Sequence, residues 1–188
     1  YSANNPYADR DPRLSEYVMY NGTVYRDTEI ITGSYSADDN GLNKVANSTR
    51  TGYYLRKLLR DDCNPNSAQQ LAQFHYPVYF RYTELFLAYA EAANEAWGPR
   101  NAGSVGYSAY DVIKAIRQRA GLGVGGNDPY LETCAGNPEM MRELIRNERR
   151  IEMCFENKRF WDIRRWKAPM NEAVKGMDVK LSGGTYQY

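Results

Sequence analysis

Apolar residues recur with the period of an α-helix in the stretch from Glu139 to Trp166. Asn137 can cap this helix, Pro138 suits its first position, and Asn157 tolerates the left-handed turn that ends a helix. The pattern predicts a helix that ends at Asn157. Its buried stripe contains Met140, Met141, Leu144, Ile145, Ile151 and Phe155. A second, shorter helix is expected from Arg159 to Trp166, with Phe160, Ile163 and Trp166 facing inward.

Two carboxylates, Glu148 and Glu152, interrupt the apolar stripe of the longer helix. A carboxylate that faces a core stays ionised only when it is paired and hydrogen-bonded. We therefore expect structural ion pairs that draw on Arg117, Arg119, Arg159 and Arg164. The alternative is a glycosidase pair, since one helical turn gives a plausible carboxylate separation. That chemistry needs carboxylates on either side of a sugar in a cleft, so the structural explanation is favoured.

Two further helices are predicted before this stretch. One begins at Tyr79 or Arg81 and ends at Trp97, because Gly98-Pro99 stops a helix. Its apolar face is expected to contain Tyr82, Leu85, Phe86, Tyr89, Ala93, Ala96 and Trp97. The other runs from Ser108 to Ala120, with Ser108 and Asp111 at capping-box spacing and Gly121 as the stop. Its buried stripe is Ala109, Val112, Ile113, Ile116 and Ala120.

Residues 1–77 predict an irregular segment that carries one β-hairpin. Short strands between Tyr17 and Arg26 flank Asn21-Gly22, a strong two-residue hairpin signal. Residues 32–52 are rich in Gly, Ser, Asn and Asp and predict a long loop. The Gly-rich tail, residues 171–188, is expected to be loosely structured. We therefore expect a mainly α single domain over residues 1–188, with its helical block at 78–170.

Composition narrows the possible functions. The chain has 188 residues with 24 basic and 23 acidic side chains, so its net charge of +1 argues against binding to DNA or RNA. The mean hydropathy of −0.71 and the lack of a long apolar run argue against a membrane span. Cys154 is interpreted as a small buried hydrophobic residue on the main helix. Cys63 and Cys134 fall in loop-like sequence and could form a disulfide in an oxidising compartment.

The sequence holds no recognisable catalytic or metal-binding pattern. Its single histidine, His75, has no companion residues at metal-ligand spacing, and no G-x-S-x-G motif supports a serine nucleophile. We expect neither an enzyme nor a cofactor. The 17 tyrosines instead suggest a binding surface, since aromatic faces stack on sugars. The candidate ligand-binding residues are Tyr20, Tyr25, Tyr35, Asp39 and Asn40, although ordinary surface tyrosines are the favoured explanation for any single one.

Three blocks of short motifs occur together. The first contains Asn5-Pro6-Tyr7, Asp11-Pro12-Arg13 and Thr51-Gly52-Tyr53-Tyr54, and the second runs from Arg81 to Ala92. The third contains Glu148-Arg149, Glu152, Phe155-Glu156, Arg159, Asp162 and Arg164-Arg165-Trp166. In this order the blocks resemble the C-terminal part of the SusD/RagB family of outer-membrane nutrient-binding lipoproteins. Asn157 stands where the family usually has Gly, a mild departure because both tolerate a positive φ.

The resemblance implies a helical scaffold of tetratricopeptide-like hairpins. It also implies non-catalytic binding of a glycan, or less often a peptide, for delivery to a SusC-like TonB-dependent transporter. The implied location is the outer membrane, as an outward-facing lipoprotein whose lipid anchor lies outside this chain. In the family much of the ligand site comes from upstream sequence. The alternative function is a helical module that binds a protein or peptide in a groove.

Overall fold

Helices and strands separate into two sets along the chain. The computed structural model describes residues 5–63 and 71–188, and the chain divides into two compact units. The first unit comprises the chain up to His75 together with Asn171–Tyr188, and the second comprises Tyr76–Met170. The first unit contains α1 (Arg13–Tyr17), β1 (Val18–Met19), β2 (Thr23–Tyr25), β3 (Thr28–Ile30), β4 (Tyr54–Leu55), β5 (Lys180–Ser182) and β6 (Thr185–Gln187). A single domain over residues 1–188 stays a prediction.

The predicted hairpin around Asn21-Gly22 is wrong in its turn and in its strand pairing. β2 pairs with β3, and the turn between them is Arg26-Asp27, with φ values of 50° and 62°. Two positive φ values are what a type I′ turn requires. β1 pairs instead with β4, which lies far along the sequence. Asn21 is buried and bonds the start of the following loop, so it does not close a hairpin.

The long loop is confirmed, but the tail is more ordered than predicted. Residues 32–52 contain no helix or strand. The tail forms the β5–β6 hairpin, and ahead of it the Met177 N–H donates to the Thr51 carbonyl at 2.8 Å. The backbone approaches so closely that a Cβ at Gly52 would lie 2.0 Å from the Met177 carbonyl oxygen. These contacts join residues far apart in sequence, so local composition could not predict them.

The second unit contains the longer helices. They are α2 (Tyr82–Trp97), α3 (Ala109–Arg119), α4 (Pro129–Cys134), α5 (Pro138–Glu152) and α6 (Arg159–Arg165). α2 packs against both α3 and α5. Its buried residues include Leu87, Ala90 and Ala93. The expected apolar face is confirmed at Ala93, but it is wrong at its aromatic end, where Tyr82 and Phe86 are exposed. Small alanine side chains let two neighbouring helices approach closely, which explains why the face with Ala90 and Ala93 is the buried one.

The predicted boundaries of α3 are confirmed. The Ser108 hydroxyl accepts from the Asp111 N–H, and the Asp111 carboxylate accepts from the Ser108 N–H at 2.8 Å, which completes the capping box. Gly121 follows with a φ of 87°. The helix α4 was not predicted, since six residues are too short for periodicity to show. Its N-cap is Asp128, which accepts from the Leu131 N–H at 3.1 Å.

α5 begins as predicted, with the Asn137 side chain accepting from the Met140 N–H at 3.0 Å. The predicted end at Asn157 is wrong, because the helix ends at Glu152. Phe155 already has a left-handed φ of 63°, and Asn157 follows with 59°. The Arg81 guanidinium donates to the Glu152 carbonyl at 2.6 Å, which satisfies an acceptor that a helix end leaves unpaired. A distant side chain therefore caps the helix.

The inward face of α6 is only partly the one expected, with Ile163 and Trp166 half-buried. Asp162 is buried, whereas the Phe160 side chain, predicted to be buried, is exposed. The reason is electrostatic, since Arg149 on α5 bonds both Asp162 carboxylate oxygens at 2.8 Å. A buried carboxylate keeps its charge only with such partners, so this pairing sets the rotation of the helix.

The hydrophobic core of the second unit lies between α2, α3, α4 and α5. Its largest buried side chains are Leu87, Ile113, Leu131, Met141, Leu144 and Ile145. The mainly α fold class with short β-hairpins is confirmed. Cys63 and Cys134 do not form a disulfide. In the part of the chain that the structure describes, every helix is too short or too polar to cross a bilayer.

Candidate functional site

A group of six tyrosines in the first unit, which we call the tyrosine cluster, forms a connected set of aromatic side chains. Tyr7 is at its centre and stacks on Tyr20, with ring centroids 4.0 Å apart and planes inclined by 20°. Tyr53 and Tyr188 contact Tyr7 edge to face at 6.4 and 5.7 Å. Edge-to-face and offset contacts are the arrangements that aromatic quadrupoles favour, so the rings fix one another.

The cluster extends to the surface through the terminal strand. Tyr188 contacts Tyr186 at 6.5 Å, and Tyr186 contacts Tyr35 at 5.9 Å. Tyr186 is 41% exposed and Tyr188 is 36% exposed. Both residues are therefore partly accessible to solvent while neighbouring rings contact them.

Polar groups orient the cluster at Tyr35. The buried Asn21 side chain accepts from the N–H groups of Thr32 and Gly33 at 3.0 and 3.2 Å. Its Nδ2 donates to the Tyr35 hydroxyl at 3.3 Å. Burial raises the pKa of Tyr35 and also that of Tyr7. Both phenols therefore stay protonated near neutral pH and remain able to donate a hydrogen bond.

The five residues predicted to bind ligand are not all brought together. Tyr20 and Tyr35 belong to the tyrosine cluster. Tyr25 instead donates its hydroxyl to the Arg60 carbonyl at 3.3 Å. Asp39 and Asn40 are exposed in the long loop, where the Asn40 carbonyl accepts from the Tyr54 hydroxyl at 3.2 Å.

Sequence reasoning missed four members of the cluster: Tyr7, Tyr53, Tyr186 and Tyr188. They come from three separate parts of the chain, so their proximity is a consequence of tertiary structure. The local signal is the spacing of Tyr186 in β6 and Tyr188 just after it, since alternate residues of an extended chain point to the same side.

The second unit contains a buried network of carboxylates and guanidinium groups. Glu148 is 0% exposed, and the Arg117 guanidinium bonds its carboxylate at 2.6 Å. Arg117 also bonds Asp128 at 2.7 Å. Burial raises the pKa of Asp128, but the hydrogen bonds from Arg117 and from backbone N–H groups lower it by more, so the net shift is downward.

Glu152 is equally buried and has two guanidinium partners. Arg119 bonds its Oε1, and Arg81 bonds the same oxygen at 3.0 Å. Arg81 also bonds Glu156 at 2.9 Å. Burial raises the pKa of Glu152, but the hydrogen bonds from Arg119 and Arg81 outweigh it and the pKa is lowered. Glu152 is therefore held as a carboxylate.

Four arginines were expected to neutralise Glu148 and Glu152. Arg117 bonds Glu148, and Arg119 bonds Glu152. Arg164 instead stacks on Phe160, with its guanidinium carbon 4.3 Å from the ring centroid. Arg159 is half-buried at the start of α6. Arg81 was not predicted as a partner.

This geometry decides what the carboxylates can do. Glu148 and Glu152 are 0% exposed, so no sugar can lie between them as glycosidase chemistry requires. Within residues 5–63 and 71–188, no group of three or more His, Cys, Asp and Glu side chains could hold a metal ion. The tyrosine cluster offers aromatic rings beside hydrogen-bonding groups.

The chain is similar to several SusD-like proteins. SusD-like protein P2 of Formosa agariphila is 35% identical over 102 residues, which are 54% of this chain and 19% of that protein. A SusD-like carbohydrate binding protein of Bacteroides fragilis covers 100% of this chain with 30% identity and a TM-score of 0.67. A second SusD-like protein of that organism covers 96% of it with 28% identity and a TM-score of 0.68.

The chain spans only part of these relatives, 38% and 33% of the two solved structures. The sequence nevertheless matches the SusD family over residues 1–187, nearly its whole length. The order of motifs, the helical fold and this match agree. The chain belongs to the SusD family.

Proposed function

We propose that this chain is part of a protein that binds an oligosaccharide at the bacterial cell surface without catalysis. The tyrosine cluster carries the proposal, because it holds exposed aromatic faces in fixed positions. Membership of the SusD family supports it. So does the description of one solved relative as a carbohydrate binding protein.

The cluster would bind the apolar face of a pyranose ring on Tyr186 and Tyr188. Tyrosine supplies a rigid apolar face with a hydroxyl at its edge, so stacking and hydrogen bonding come from one side chain. Tyr20 and Tyr35 would support these rings from behind. Asp39 and Asn40 on the long loop are the proposed partners for sugar hydroxyl groups. Tyr25, whose hydroxyl donates to the Arg60 carbonyl, stays a predicted contact outside the cluster.

Absence of catalysis is part of the proposal. The acids at the centre of the family motif, Glu148 and Glu152, are bonded to guanidinium groups and buried. A general acid must reach the glycosidic oxygen, and these side chains do not reach the surface. We propose that their ion pairs link neighbouring helices.

Delivery to a SusC-like TonB-dependent transporter and anchoring as an outward-facing outer-membrane lipoprotein complete the proposal. Family membership supports both, and the lipid anchor would lie outside this chain. Co-purification with the co-expressed transporter tests the partnership. Proteinase accessibility on intact cells tests the location, since an outward-facing protein is cleaved without lysis.

Isothermal titration of the chain against neutral and acidic oligosaccharides and peptides tests ligand binding. We expect at least one oligosaccharide to bind and to be recovered unchanged by mass spectrometry. No measurable binding to any oligosaccharide would contradict glycan binding. Release of shortened sugars would contradict the non-catalytic part.

A second candidate function, a helical module that binds a protein or peptide, is favoured by one observation. Tyr82, Leu85 and Phe86 share one face of α2 and are 77, 50 and 47% exposed. Residues spaced by three and four positions are the anchors that helix-mediated recognition uses. Loss of partner binding in Leu85→Ala and Phe86→Ala variants, with no sugar bound by the parent chain, would establish this function instead.

A further inference from the structure

Three residues of the tail, 177–179, contact both ends of the long loop in the first unit, and we call them the tail clasp. At the end of the loop, the Met177 N–H donates to the Thr51 carbonyl at 2.8 Å. Near its start, the Asp178 carboxylate accepts from the Ser34 N–H at 3.0 Å. One short stretch of the tail therefore closes the loop at its base.

The tail clasp is packed against the loop as well as hydrogen-bonded to it. Val179 is 0% exposed, and a Cβ at Gly33 would lie 2.2 Å from the Val179 carbonyl oxygen. The approach of Gly52 to the Met177 carbonyl, described above, is equally close. Only glycine lets two backbones come together at such a distance. The loop backbone therefore lies directly against the clasp at both of its ends.

A second side chain holds the start of the loop. Asn21 accepts from the N–H groups of Thr32 and Gly33. Its Nδ2 donates to the Tyr35 hydroxyl at 3.3 Å. The residue between them, Ser34, is the one that the tail clasp bonds. Four consecutive loop residues thus have hydrogen-bond partners elsewhere in the unit, and the last of the four belongs to the tyrosine cluster.

The tail also connects the clasp to the aromatic rings. β5 begins at Lys180, immediately after the clasp, and pairs with β6, which contains Tyr186. The Tyr186 ring contacts Tyr35 with centroids 5.9 Å apart. The same segment of the tail therefore bonds the base of the loop and contributes rings to the tyrosine cluster.

The polar part of the loop lies between these fixed ends. Asp39 and Asn40 are exposed. The Asn40 carbonyl accepts from the hydroxyl of Tyr54, the residue after Tyr53 of the tyrosine cluster. Loops that bind ligands are commonly positioned by the structure around them. A loop that is ordered before binding avoids the entropy cost of being ordered by the ligand.

We propose that Asp178 is a positioning residue of the glycan site. By bonding Ser34 it fixes the long loop, so that the polar side chains of the loop can bond the hydroxyl groups of a sugar that stacks on the tyrosine cluster. The contact of the tail clasp with both ends of the loop carries the inference. It rests on the proposed glycan-binding function, which it deepens by naming a residue that sets the affinity without touching the sugar.

Titration calorimetry tests this role with cellohexaose, xylohexaose and mannohexaose as neutral probes. With the probe that binds most tightly, Asp178→Ala should weaken binding roughly tenfold, because the ligand must then order the loop. Asp178→Asn keeps an oxygen that accepts from the Ser34 N–H, so its affinity should stay within about twofold of the parent value. Asp61→Ala removes an exposed carboxylate elsewhere in the first unit and should bind like the parent chain.

A double-mutant cycle with Asp39→Ala separates positioning from a general loss of stability. Asp39→Ala should weaken binding in the parent chain but have little further effect in Asp178→Ala, where the loop no longer presents this side chain. Hydrogen exchange without sugar gives a second measurement. Amides of residues 33–52 should exchange faster in Asp178→Ala and at the parent rate in Asp61→Ala. Asp178 is only half-buried, so the fold should survive, and circular dichroism verifies this.

The outcomes separate the two proposals. Parental affinity in Asp178→Ala, or additive effects of Asp178→Ala and Asp39→Ala, would overturn the positioning role while leaving glycan binding intact. Equal losses of affinity in Asp178→Ala and Asp178→Asn would also overturn it. So would unchanged hydrogen exchange in the loop, whether or not a sugar binds. Failure of the parent chain to bind any oligosaccharide is a different result, since it contradicts the proposed function and removes the site that Asp178 would position.

Discussion

The Arg81 guanidinium lies 3.0 Å from the Glu152 carboxylate, although 71 positions separate the two residues in the sequence. The same guanidinium bonds the Glu152 carbonyl and the Glu156 carboxylate. One side chain at the start of α2 therefore neutralises a buried acid and satisfies the end of α5. This relationship ties together the two motif blocks by which the family is recognised.

Replacement of Arg81 by Met should lower the free energy of unfolding by about 3 kcal/mol, since removing one partner of a buried pair leaves a charge uncompensated. Arg119 remains on Glu152, so folding should survive. Urea denaturation followed by circular dichroism measures the change. Arg60→Met is the matched control, because the Arg60–Asp62 pair is exposed and should leave the urea midpoint unchanged. Equal effects of the two substitutions would show that the Arg81 network is not a stabilising feature.

Stability should fall in acid because of Glu152. Its pKa in the folded chain lies below the ordinary value of 4.5, so the unfolded chain takes up the proton first as pH falls. The stabilisation that Glu152 gives to the folded chain is thus fully present above pH 4.5. It is lost as the pH falls below 4.5 towards the pKa of Glu152 in the folded chain. Glu152→Gln should be less stable at pH 7 but should lose less stability between neutral and acidic pH. Parallel pH profiles for the variant and the parent chain would contradict this assignment.

Gly52→Ala tests whether the tail is docked as the structure shows. A Cβ at Gly52 would meet the Met177 carbonyl at 2.0 Å, and the φ of 78° adds backbone strain. We expect a loss of about 2 kcal/mol or more in thermal unfolding. Gly22 has a similar φ of 85°, but a Cβ there would meet its nearest atom at 3.7 Å. Gly22→Ala should therefore lose only the free energy that comes from backbone strain. Equal losses would mean that the tail does not pack there.

Local signals predicted the helical block well. The Ser108–Asp111 capping box, the Asn137 N-cap and Gly121 are features of a few adjacent residues, and the structure contains all three. Helix rotation was harder to predict. Aromatic residues of α2 suggested a buried face, yet the face with Ala90 and Ala93 is the one that packs against the neighbouring helices. Small side chains allow the helices to approach closely.

Only two of the six tyrosines in the cluster, Tyr20 and Tyr35, are predictable from the sequence. The other four join them through tertiary contacts that no local pattern encodes; they are Tyr7, Tyr53, Tyr186 and Tyr188. The end of α5 shows the same limitation. Asn157 gave a plausible stop, whereas the actual end depends on Arg81, which lies in another part of the sequence.

Titration calorimetry of the parent chain, Tyr186→Ala and Tyr82→Ala with a neutral oligosaccharide tests the central claim most directly. Both tyrosines are exposed, but only Tyr186 belongs to the tyrosine cluster. We predict that Tyr186→Ala weakens binding roughly tenfold, the effect of losing one stacked aromatic ring, and that Tyr82→Ala binds like the parent chain. Unchanged affinity in Tyr186→Ala would contradict glycan binding at this surface.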